Sequence, residues 1–260
     1  MKRILLNILL ITILLQGCSM IKIKITVSDK RNPKPQSIEL PNDIIITTWG
    51  TVKINKKEWF PSSFMIEAQG KVFYIDPLMI GETTPADYIF ITHAHPDHLS
   101  IKDIEKIVKE ETLIICPKNV AKKLSKYKIR EVKPDDILNL DNIKCEAVEA
   151  YNLNRVFLWI KAHPKSKQNV GYILTIDGTK IYHAGDTDFI PEMKNIKDIT
   201  VALVPVGGDN LTMDIEQASN MINTLKPMLV IPMHYDPEKK ENLINFKKRV
   251  EKSIQVKFME

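Results

Sequence analysis

Tyr88-Ile89-Phe90-Ile91-Thr92-His93-Ala94-His95-Pro96-Asp97-His98 is the stretch of this chain that decides its fold. Its first five residues are an apolar run, which predicts a buried β-strand. Its last six residues hold three of the chain's six histidines and an aspartate. A polar cluster directly after a strand is typical of a functional loop held by a rigid scaffold. We therefore expect a functional site here rather than a solvated turn.

The spacing within this cluster predicts metal binding. His93 and His95 are two residues apart, so an extended backbone directs both side chains to one side. Pro96 favours a turn or the first turn of a helix, which brings Asp97 and His98 to the opposite side of the same pocket. Imidazole nitrogen and carboxylate oxygen are ligands of Zn²⁺ and similar ions. We expect one metal ion at the first pair and a second metal ion at the second pair.

Three further stretches follow the order of motifs in a known superfamily. They are Tyr74-Ile75-Asp76-Pro77, His183-Ala184-Gly185-Asp186-Thr187 and Ile231-Pro232-Met233-His234-Tyr235. With His-x-His-x-Asp-His, they make the chain from about residue 43 onward resemble the metallo-β-lactamase-fold hydrolases. The branch that it resembles most contains the ascorbate-phosphate lactonase and many uncharacterised relatives. The resemblance implies a four-layer αβ/βα sandwich with a single catalytic domain.

The resemblance also implies roles for residues outside the cluster. Asp186 is expected to bridge two metal ions, and Asp97 and Asp186 are the expected catalytic residues. His234, which follows an apolar strand, is expected to bind metal. Asp76 is expected to orient ligand imidazoles through their second N–H. His183 is expected to lie behind the ligands or in the core.

The third ligand of the first metal ion has two candidates. The family places a histidine after the strand Glu146-Ala147-Val148-Glu149-Ala150, but Tyr151-Asn152 follows it here. We favour His163, in His163-Pro164-Lys165, and keep Asn152 as a poor ligand or a hydrogen-bond donor nearby. The predicted metal ligands are therefore His93, His95, Asp97, His98, His163, Asp186 and His234.

Two segments depart from the family pattern. Residues 51–60 look like an insertion, and Pro61-Ser62-Ser63-Phe64 stands where relatives often carry Gly-His-x-x-Phe. The apolar spacer Val156-Phe157-Leu158-Trp159-Ile160 lengthens the segment before His163. Core packing and a hydrophobic lip for an acyl or lipid-like substrate are both open interpretations of this spacer.

Local patterns predict the elements that surround the motifs. Gln69-Gly70 and Asp177-Gly178 each lie between apolar runs and predict hairpin turns. Apolar spacing predicts helices, of which the third is capped by Asp214. The predicted helices span residues 101–109, 120–127, 215–225 and 238–251.

Composition and charge exclude several classes of protein. The chain is 44% apolar and 27% charged, as in an ordinary globular protein. Its net charge of +5 is too small to indicate nucleic-acid binding, so no nucleic-acid partner is expected. Cys18, Cys116 and Cys145 are too few for a disulfide framework, and Cys116 is expected to be a buried thiol.

The N-terminus has the pattern of a targeting segment. Lys2-Arg3 precedes an apolar run at residues 4–15, which is too short for a membrane span and typical of a signal peptide. Leu15-Gln16-Gly17-Cys18 resembles a bacterial lipobox. We expect a lipoprotein-type signal at residues 1–18, a tether at 19–42 and the catalytic domain at 43–260. Lipid on Cys18 would anchor the protein to a membrane of the cell envelope, facing outside the cytoplasm; secretion or an uncleaved signal anchor is the alternative.

The expected activity is metal-dependent hydrolysis. A metal-bound hydroxide would attack an ester, lactone or phosphodiester bond of a small-molecule or lipid-like substrate. Two divalent ions are expected, zinc first, although Mn, Fe and Ni accept the same ligands. A membrane-tethered lipoprotein that binds a ligand or a metal without turnover is the alternative.

Overall fold

The computed structural model describes residues 27–28, 35–81, 84–154, 156 and 158–259. In chain order the strands are β1 (Val27–Ser28), β2 (Gln36–Leu40), β3 (Ile44–Thr48), β4 (Val52–Ile54), β5 (Lys57–Trp59), β6 (Phe64–Ala68), β7 (Lys71–Ile75), β8 (Tyr88–Phe90), β9 (Leu113–Pro117), β10 (Ile129–Val132), β11 (Ile137–Leu140), β12 (Ile143–Glu149), β13 (Val170–Ile176), β14 (Thr179–His183), β15 (Val201–Pro205), β16 (Leu229–Met233) and β17 (Gln255–Val256). The α-helices are α1 (Ile101–Ile107), α2 (Lys118–Ala121), α3 (Ile215–Leu225) and α4 (Lys240–Arg249).

Most of these strands form two seven-stranded mixed sheets. The first has the order β10-β9-β8-β7-β6-β3-β2, and the second has the order β11-β12-β13-β14-β15-β16-β17. Alternation of side chains along the strands determines how each sheet packs. In β8, Phe90 faces the cluster that the two sheets share, whereas Ile89 faces the cluster that contains α1.

Helices cover the outer face of each sheet. Ile104 and Ile107 of α1 pack against the first sheet, and Met221 of α3 and Phe246 of α4 belong to the cluster that includes the second sheet. The order of layers is therefore helix, sheet, sheet, helix. This arrangement confirms the predicted αβ/βα sandwich.

Residues 51–60, the segment that looks like an insertion, form a hairpin. Its strands β4 and β5 pair with each other, and β4 also pairs with β1, in a separate three-stranded sheet of order β1-β4-β5. Phe60 and Tyr235 then exchange backbone hydrogen bonds of 2.8 and 3.2 Å. These bonds hold the hairpin against the segment that follows β16.

Both predicted hairpin turns are confirmed. Gln69, Gly70, Asp177 and Gly178 all have positive φ, between 46° and 79°. Such a pair of positive φ angles matches the twist of a two-residue hairpin. The capped helix is also confirmed, since Asp214 accepts a hydrogen bond from the backbone N–H of Gln217 at 2.8 Å.

Two predictions of element extent are wrong, and the ends of α1 and α4 differ from the predicted ends by two residues. The helix predicted at residues 120–127 is the single turn α2, because only Val120 and Leu124 of this segment reach the core and so short an apolar face cannot support a longer helix. The sheet also begins before residue 43: β2 pairs with β3 from Gln36 to Leu40. Residues 36–42 of the predicted tether are thus part of the fold.

Two of the three cysteines lie in the described part of the chain. Cys116 and Cys145 are buried and free, and burial raises the pKa of both thiols to about 12. Cys116 is therefore the buried thiol that the sequence predicts. Residues 1–18, with the predicted signal and Cys18, lie outside the described residues. Within the described ranges, no helix is both long and apolar enough to cross a membrane.

Tyr172 ties the second sheet to the strand end that precedes the histidine cluster. Its buried hydroxyl lies 2.9 Å from the carbonyl of Ile91 and 3.1 Å from the carbonyl of Ile115. Tyr182 lies on the neighbouring strand and is also fully buried. Its hydroxyl has no hydrogen-bond partner.

We expect Tyr172→Phe to lower the free energy of unfolding by about 1–3 kcal/mol, because it leaves a buried carbonyl without its donor. Tyr182→Phe is the matched control and should change the free energy of unfolding little. Denaturant unfolding at one fixed metal concentration measures both values. Equal losses in the two variants would show that the hydroxyl of Tyr172 does not stabilise the fold.

Candidate metal centre

The polar side chains predicted to bind metal meet at one edge of the sandwich. His93 and His98 follow β8, and His163 lies in the long loop after β12. Asp186 follows β14, and His234 follows β16. Each segment leaves the carboxyl end of its strand, where loops of α/β folds commonly build ligand sites.

Three imidazoles form a first group: His93, His95 and His163. Nε2 of His163 lies 3.1 Å from Nδ1 of His95. The ring centre of His93 lies 4.7 Å from each of the other two ring centres. One nitrogen of each ring lies within 4.8 Å of the others, so the three side chains could hold a metal ion.

Asp97, His98, Asp186 and His234 form a second group, and all four are buried. Nε2 of His98 lies 3.7 Å from Asp97 and 3.3 Å from Asp186. Nε2 of His234 lies 3.5 Å from Asp97 and 3.2 Å from Asp186. These ligand atoms also lie within 4.8 Å of one another, so this group too could hold a metal ion.

Asp186 belongs to the second group and also faces the first. Its Oδ2 is 3.2 Å from Nε2 of His234 and 3.5 Å from Nε2 of His163. The same oxygen lies 3.9 Å from Nε2 of His93. The carboxylate is therefore within reach of both groups.

Several polar atoms of this cluster are buried without a hydrogen-bond partner. They include Nε2 of His93 and His98, Oδ1 of Asp97 and Asp186, and both ring nitrogens of His234. Such atoms are rare in folded proteins because each costs about 1–3 kcal/mol when it is left unpaired. Unpaired nitrogen and oxygen atoms that converge on one space suit a divalent cation.

Hydrogen bonds behind two of the rings determine which nitrogen faces the cluster. Nδ1 of His98 lies 2.7 Å from Oδ2 of Asp76, so this nitrogen carries a proton. The hydroxyl of Thr92 donates to the same carboxylate at 2.6 Å and lies 3.0 Å from Nδ1 of His93. It can therefore accept a hydrogen bond from that ring. In both rings Nε2 is left to bind a proton or a metal ion.

Asn152 holds His163 instead of pointing into the cluster. Its Oδ1 lies 2.9 Å from Nδ1 of His163 and accepts a second hydrogen bond from the backbone N–H of His163 at 2.9 Å. Its amide nitrogen donates to the carbonyl of Leu211 at 3.0 Å. Of the two candidates for the third ligand, the structure thus brings His163 to the cluster and places Asn152 behind it.

Asp188 also supports this part of the site, and sequence reasoning missed it. Its buried carboxylate accepts hydrogen bonds from the backbone N–H groups of Leu153 and Asn154, at 2.7 and 2.9 Å. It also lies 3.3 Å from the amide nitrogen of Asn152. The only signal in the sequence was its position two residues after Asp186, because a carboxylate that binds loop backbone belongs to no motif.

His183 lies outside the cluster. Its Nε2 donates to the carbonyl of Ser62 at 2.9 Å, and its Nδ1 accepts from the backbone N–H of Gly185 at 3.2 Å. Both nitrogens are therefore used, and burial lowers the pKa of the ring. His183 is a core histidine, one of the two positions that the sequence left open.

The imidazoles of the cluster differ in charge. Burial lowers the pKa of His93 and His95, and it lowers the pKa of His163 to about 4. Burial also acts to lower the pKa of His234, but the carboxylates of Asp186 and Asp97 raise it to about 9. The first group, His93, His95 and His163, is therefore neutral at neutral pH, whereas His234 of the second group carries a proton.

Carboxylates determine the charge of the second group. Burial acts against the charged form of His98, but Asp186, Asp76 and Asp97 raise its pKa well above the ordinary value. Burial acts to raise the pKa of Asp186, but His234 and His98 bring it well below the ordinary value. The second group thus holds ionised carboxylates beside imidazoles that bind a proton strongly.

The inserted hairpin forms one wall of the site. The ring of Trp59 meets the ring of His234 edge to face at 5.1 Å. Gly207 allows this close packing, since a Cβ there would lie 2.3 Å from the carbonyl oxygen of His234 and 3.2 Å from the indole of Trp59. His234 itself has a φ of +52°, a conformation that is uncommon for histidine and costs about 1–3 kcal/mol.

The apolar spacer before His163 is exposed where it is described. Leu158 and Trp159 have 58% and 66% of their surface exposed. The interpretation that the spacer packs in the core is therefore wrong for these two side chains. The hydrophobic-lip interpretation remains.

We expect Asn152→Leu to weaken metal binding about 10- to 100-fold, because His163 loses the nearer of two acceptors for its Nδ1 proton and keeps only the carbonyl of Leu211 at 3.1 Å. Asn154→Ala is the matched control, since the exposed Asn154 lies in the same loop. Competition with a chelator of known affinity measures the binding. If His163→Ala keeps full metal affinity while Asn152→Leu loses it, the choice of His163 as ligand is wrong.

Comparison with known proteins gives a consistent picture. Residues 58–234 match the model of a family described as the Beta-lactamase superfamily domain, a segment that contains every residue of the metal cluster. A UPF0173 metal-dependent hydrolase from Nanoarchaeum equitans is 36% identical over 208 residues, which cover 73% of this chain and 88% of the relative. A UPF0173 metal-dependent hydrolase from Staphylococcus carnosus is 33% identical over 211 residues, covering 74% and 90%.

Solved structures show the same fold. The crystal structure of a metal-dependent hydrolase from Parabacteroides distasonis is 32% identical and covers 87% of this chain and 98% of its own, with a TM-score of 0.69. The chain belongs to the UPF0173 metal-dependent hydrolases of the metallo-β-lactamase superfamily.

Proposed function

We propose that this chain hydrolyses an ester, lactone or phosphodiester bond with two divalent metal ions, zinc in the first instance. His93, His95 and His163 would hold one ion, and Asp97, His98 and His234 would hold the other. Asp186 would contact both. The observation that carries the proposal is the position of Asp186 Oδ2, which lies 3.5 Å from His163 and 3.2 Å from His234.

When bound, such ions act as Lewis acids that lower the pKa of water and polarise the bond under attack. The protein's part is to position groups and to move a proton. Oδ1 of Asp97 is buried and has no hydrogen-bond partner, so it can accept the proton of the attacking water. Asp186 adds a second negative charge, which offsets the repulsion between two cations held close together.

The substrate would approach from the side of His95. Of the seven cluster side chains, the other six are buried, whereas His95 is partly exposed. His95 touches His163, which follows the exposed segment with Leu158 and Trp159. An apolar segment at this position favours a substrate with an acyl or other apolar part.

Family membership and the ligand geometry favour a hydrolase over a protein that only binds a ligand. Relatives of the chain carry the name of metal-dependent hydrolase. A site for binding alone has no need of two adjacent ligand groups with a carboxylate between them.

Asp186→Asn tests the proposal directly. This change keeps the shape of the side chain but removes its charge, so we expect kcat to fall about 100-fold or more, which corresponds to about 2.7 kcal/mol. Asp209→Asn, at an exposed position, is the control and should keep wild-type activity. The assay is a panel of phosphodiester, lactone and ester substrates at saturating metal. Equal activity of Asp186→Asn and wild type on any substrate turned over would overturn the proposed mechanism.

Metal affinity should rise with pH. Carboxylates raise the pKa of His234 to about 9, so near neutral pH its proton must leave before Nε2 can bind a metal ion. Affinity should therefore increase from about pH 6 to about pH 9. Titration with a chelator at several pH values measures it. An affinity independent of pH would mean that no protonated imidazole is a ligand.

We also propose that lipid on Cys18 anchors the protein in the cell envelope, facing outside the cytoplasm. The lipobox-like Leu15-Gln16-Gly17-Cys18 after an apolar run supports this location. Cys18→Ala should abolish acylation, measured by incorporation of a labelled fatty acid, while Cys116→Ala should not. If label never attaches to Cys18, the lipoprotein proposal fails.

A further inference from the structure

We propose that the rim of the metal centre docks on an anionic lipid surface, so that the site opens toward the membrane. Two segments form this rim: the described residues of the loop at 153–161, which are 153, 154, 156 and 158–161, and the three-stranded sheet of β1, β4 and β5. The proposal concerns the orientation of the domain. It does not depend on which bond the enzyme cleaves or on acylation of Cys18.

The loop exposes an unusual amount of apolar surface. Seven large hydrophobic side chains are exposed among the described residues, and three of them lie within residues 153–159. They are Leu153, Leu158 and Trp159, which are 46%, 58% and 66% exposed. Clustered apolar exposure marks interaction surfaces in soluble domains, and tryptophan favours the interface between lipid and water.

This loop is held in place beside the metal centre. The carboxylate of Asp188 accepts the backbone N–H groups of Leu153 and Asn154. Further along, the backbone N–H of Val156 donates to the carbonyl of Ile160 at 2.9 Å. These bonds fix the loop next to Asn152, whose side chain orients His163.

The three-stranded sheet lies at the other side of the centre. Trp59 at the end of β5 contacts the ring of His234. Val27 in β1 pairs with Ile54 of β4, so β1 lies two strands away from β5. Two strand spacings amount to about 10 Å. β1 is therefore part of the same small sheet that carries Trp59.

The charge of these segments fits anionic headgroups. Residues 52–59 contain three lysines and one glutamate, and the described residues of the loop contain Lys161 and no acidic residue. Residues 19–26, which follow the predicted signal, contain Lys22 and Lys24 and no acidic residue. Basic residues next to an apolar segment are attracted to anionic lipid. The same positive charge opposes the docking of a second copy through this rim.

Fluorescence of Trp159 in the full-length chain tests the proposal. The protein is mixed with vesicles of phosphatidylcholine and phosphatidylglycerol whose acyl chains carry bromine, a short-range quencher. We expect part of the wild-type emission to be lost and most of this loss to be absent in Trp159→Phe, because Trp59, the other tryptophan of the rim, packs against His234. Trp49→Phe is the matched control: Trp49 is 5% exposed and stacks on Tyr74, so the quenchable part should persist in this variant.

The vesicle composition and a soluble quencher separate the outcomes. Vesicles without phosphatidylglycerol, or added salt, should reduce the quenching if charge contributes to docking. If Trp159 is quenched by acrylamide in water but not by brominated lipid, the rim faces solvent and the proposal is overturned. If Trp159 is shielded from both and the protein sediments as a dimer, a second copy covers the rim and the proposal is equally overturned.

Discussion

Asp186 is an ionised carboxylate buried in the protein. The rest of the site offsets the free-energy cost of burying this charge. A charge removed from water is stable only when opposite charges lie close to it. His234 and His98 provide them, since they bring the pKa of Asp186 well below its ordinary value while their own pKa values rise. The protons on these imidazoles occupy the positions that metal ions would take. The fold therefore contains a site whose charges balance with protons or with metal.

The two sheets bring these charges together and hold them in place. The strands β8, β12, β14 and β16 all end at one edge of the sandwich. Residues far apart in the sequence, such as His93 and His234, therefore meet there. Behind them, Asp76, Thr92 and Asn152 hold the rings through the nitrogen that faces away from the cluster. Orientation of this kind determines which lone pair faces a metal ion. The ligand side chains are therefore held in fixed orientations by the rigid sandwich.

The sequence predicts the centre better than its surroundings, for a physical reason. His93 to His98 form a local motif, and Asp186 and His234 each follow a strongly apolar strand, so all of these residues can be found from their neighbours in sequence. Asp188 binds backbone N–H groups, which any residue carries, so no pattern marks its partners. β2 has only two apolar residues that pack on the core, Ile38 and Leu40, which explains why the predicted tether extends too far. The packing of Trp59 against His234 joins residues far apart in the chain, and only tertiary structure brings them together.

The two segments that depart from the family pattern flank the same centre. The hairpin places Trp59 against His234. The spacer at residues 156–160 lies between Asn152 and His163 in the sequence, and its Leu158 and Trp159 are exposed. The Trp59 ring has a direct electrostatic effect, because an apolar group packed on His234 keeps water away from it and strengthens the charge–charge interactions there. Neither the hairpin nor the spacer supplies one of the seven side chains of the cluster. The chemistry of the centre and the shape of its walls are therefore set by different parts of this chain, and the walls can differ between relatives without loss of the metal ligands.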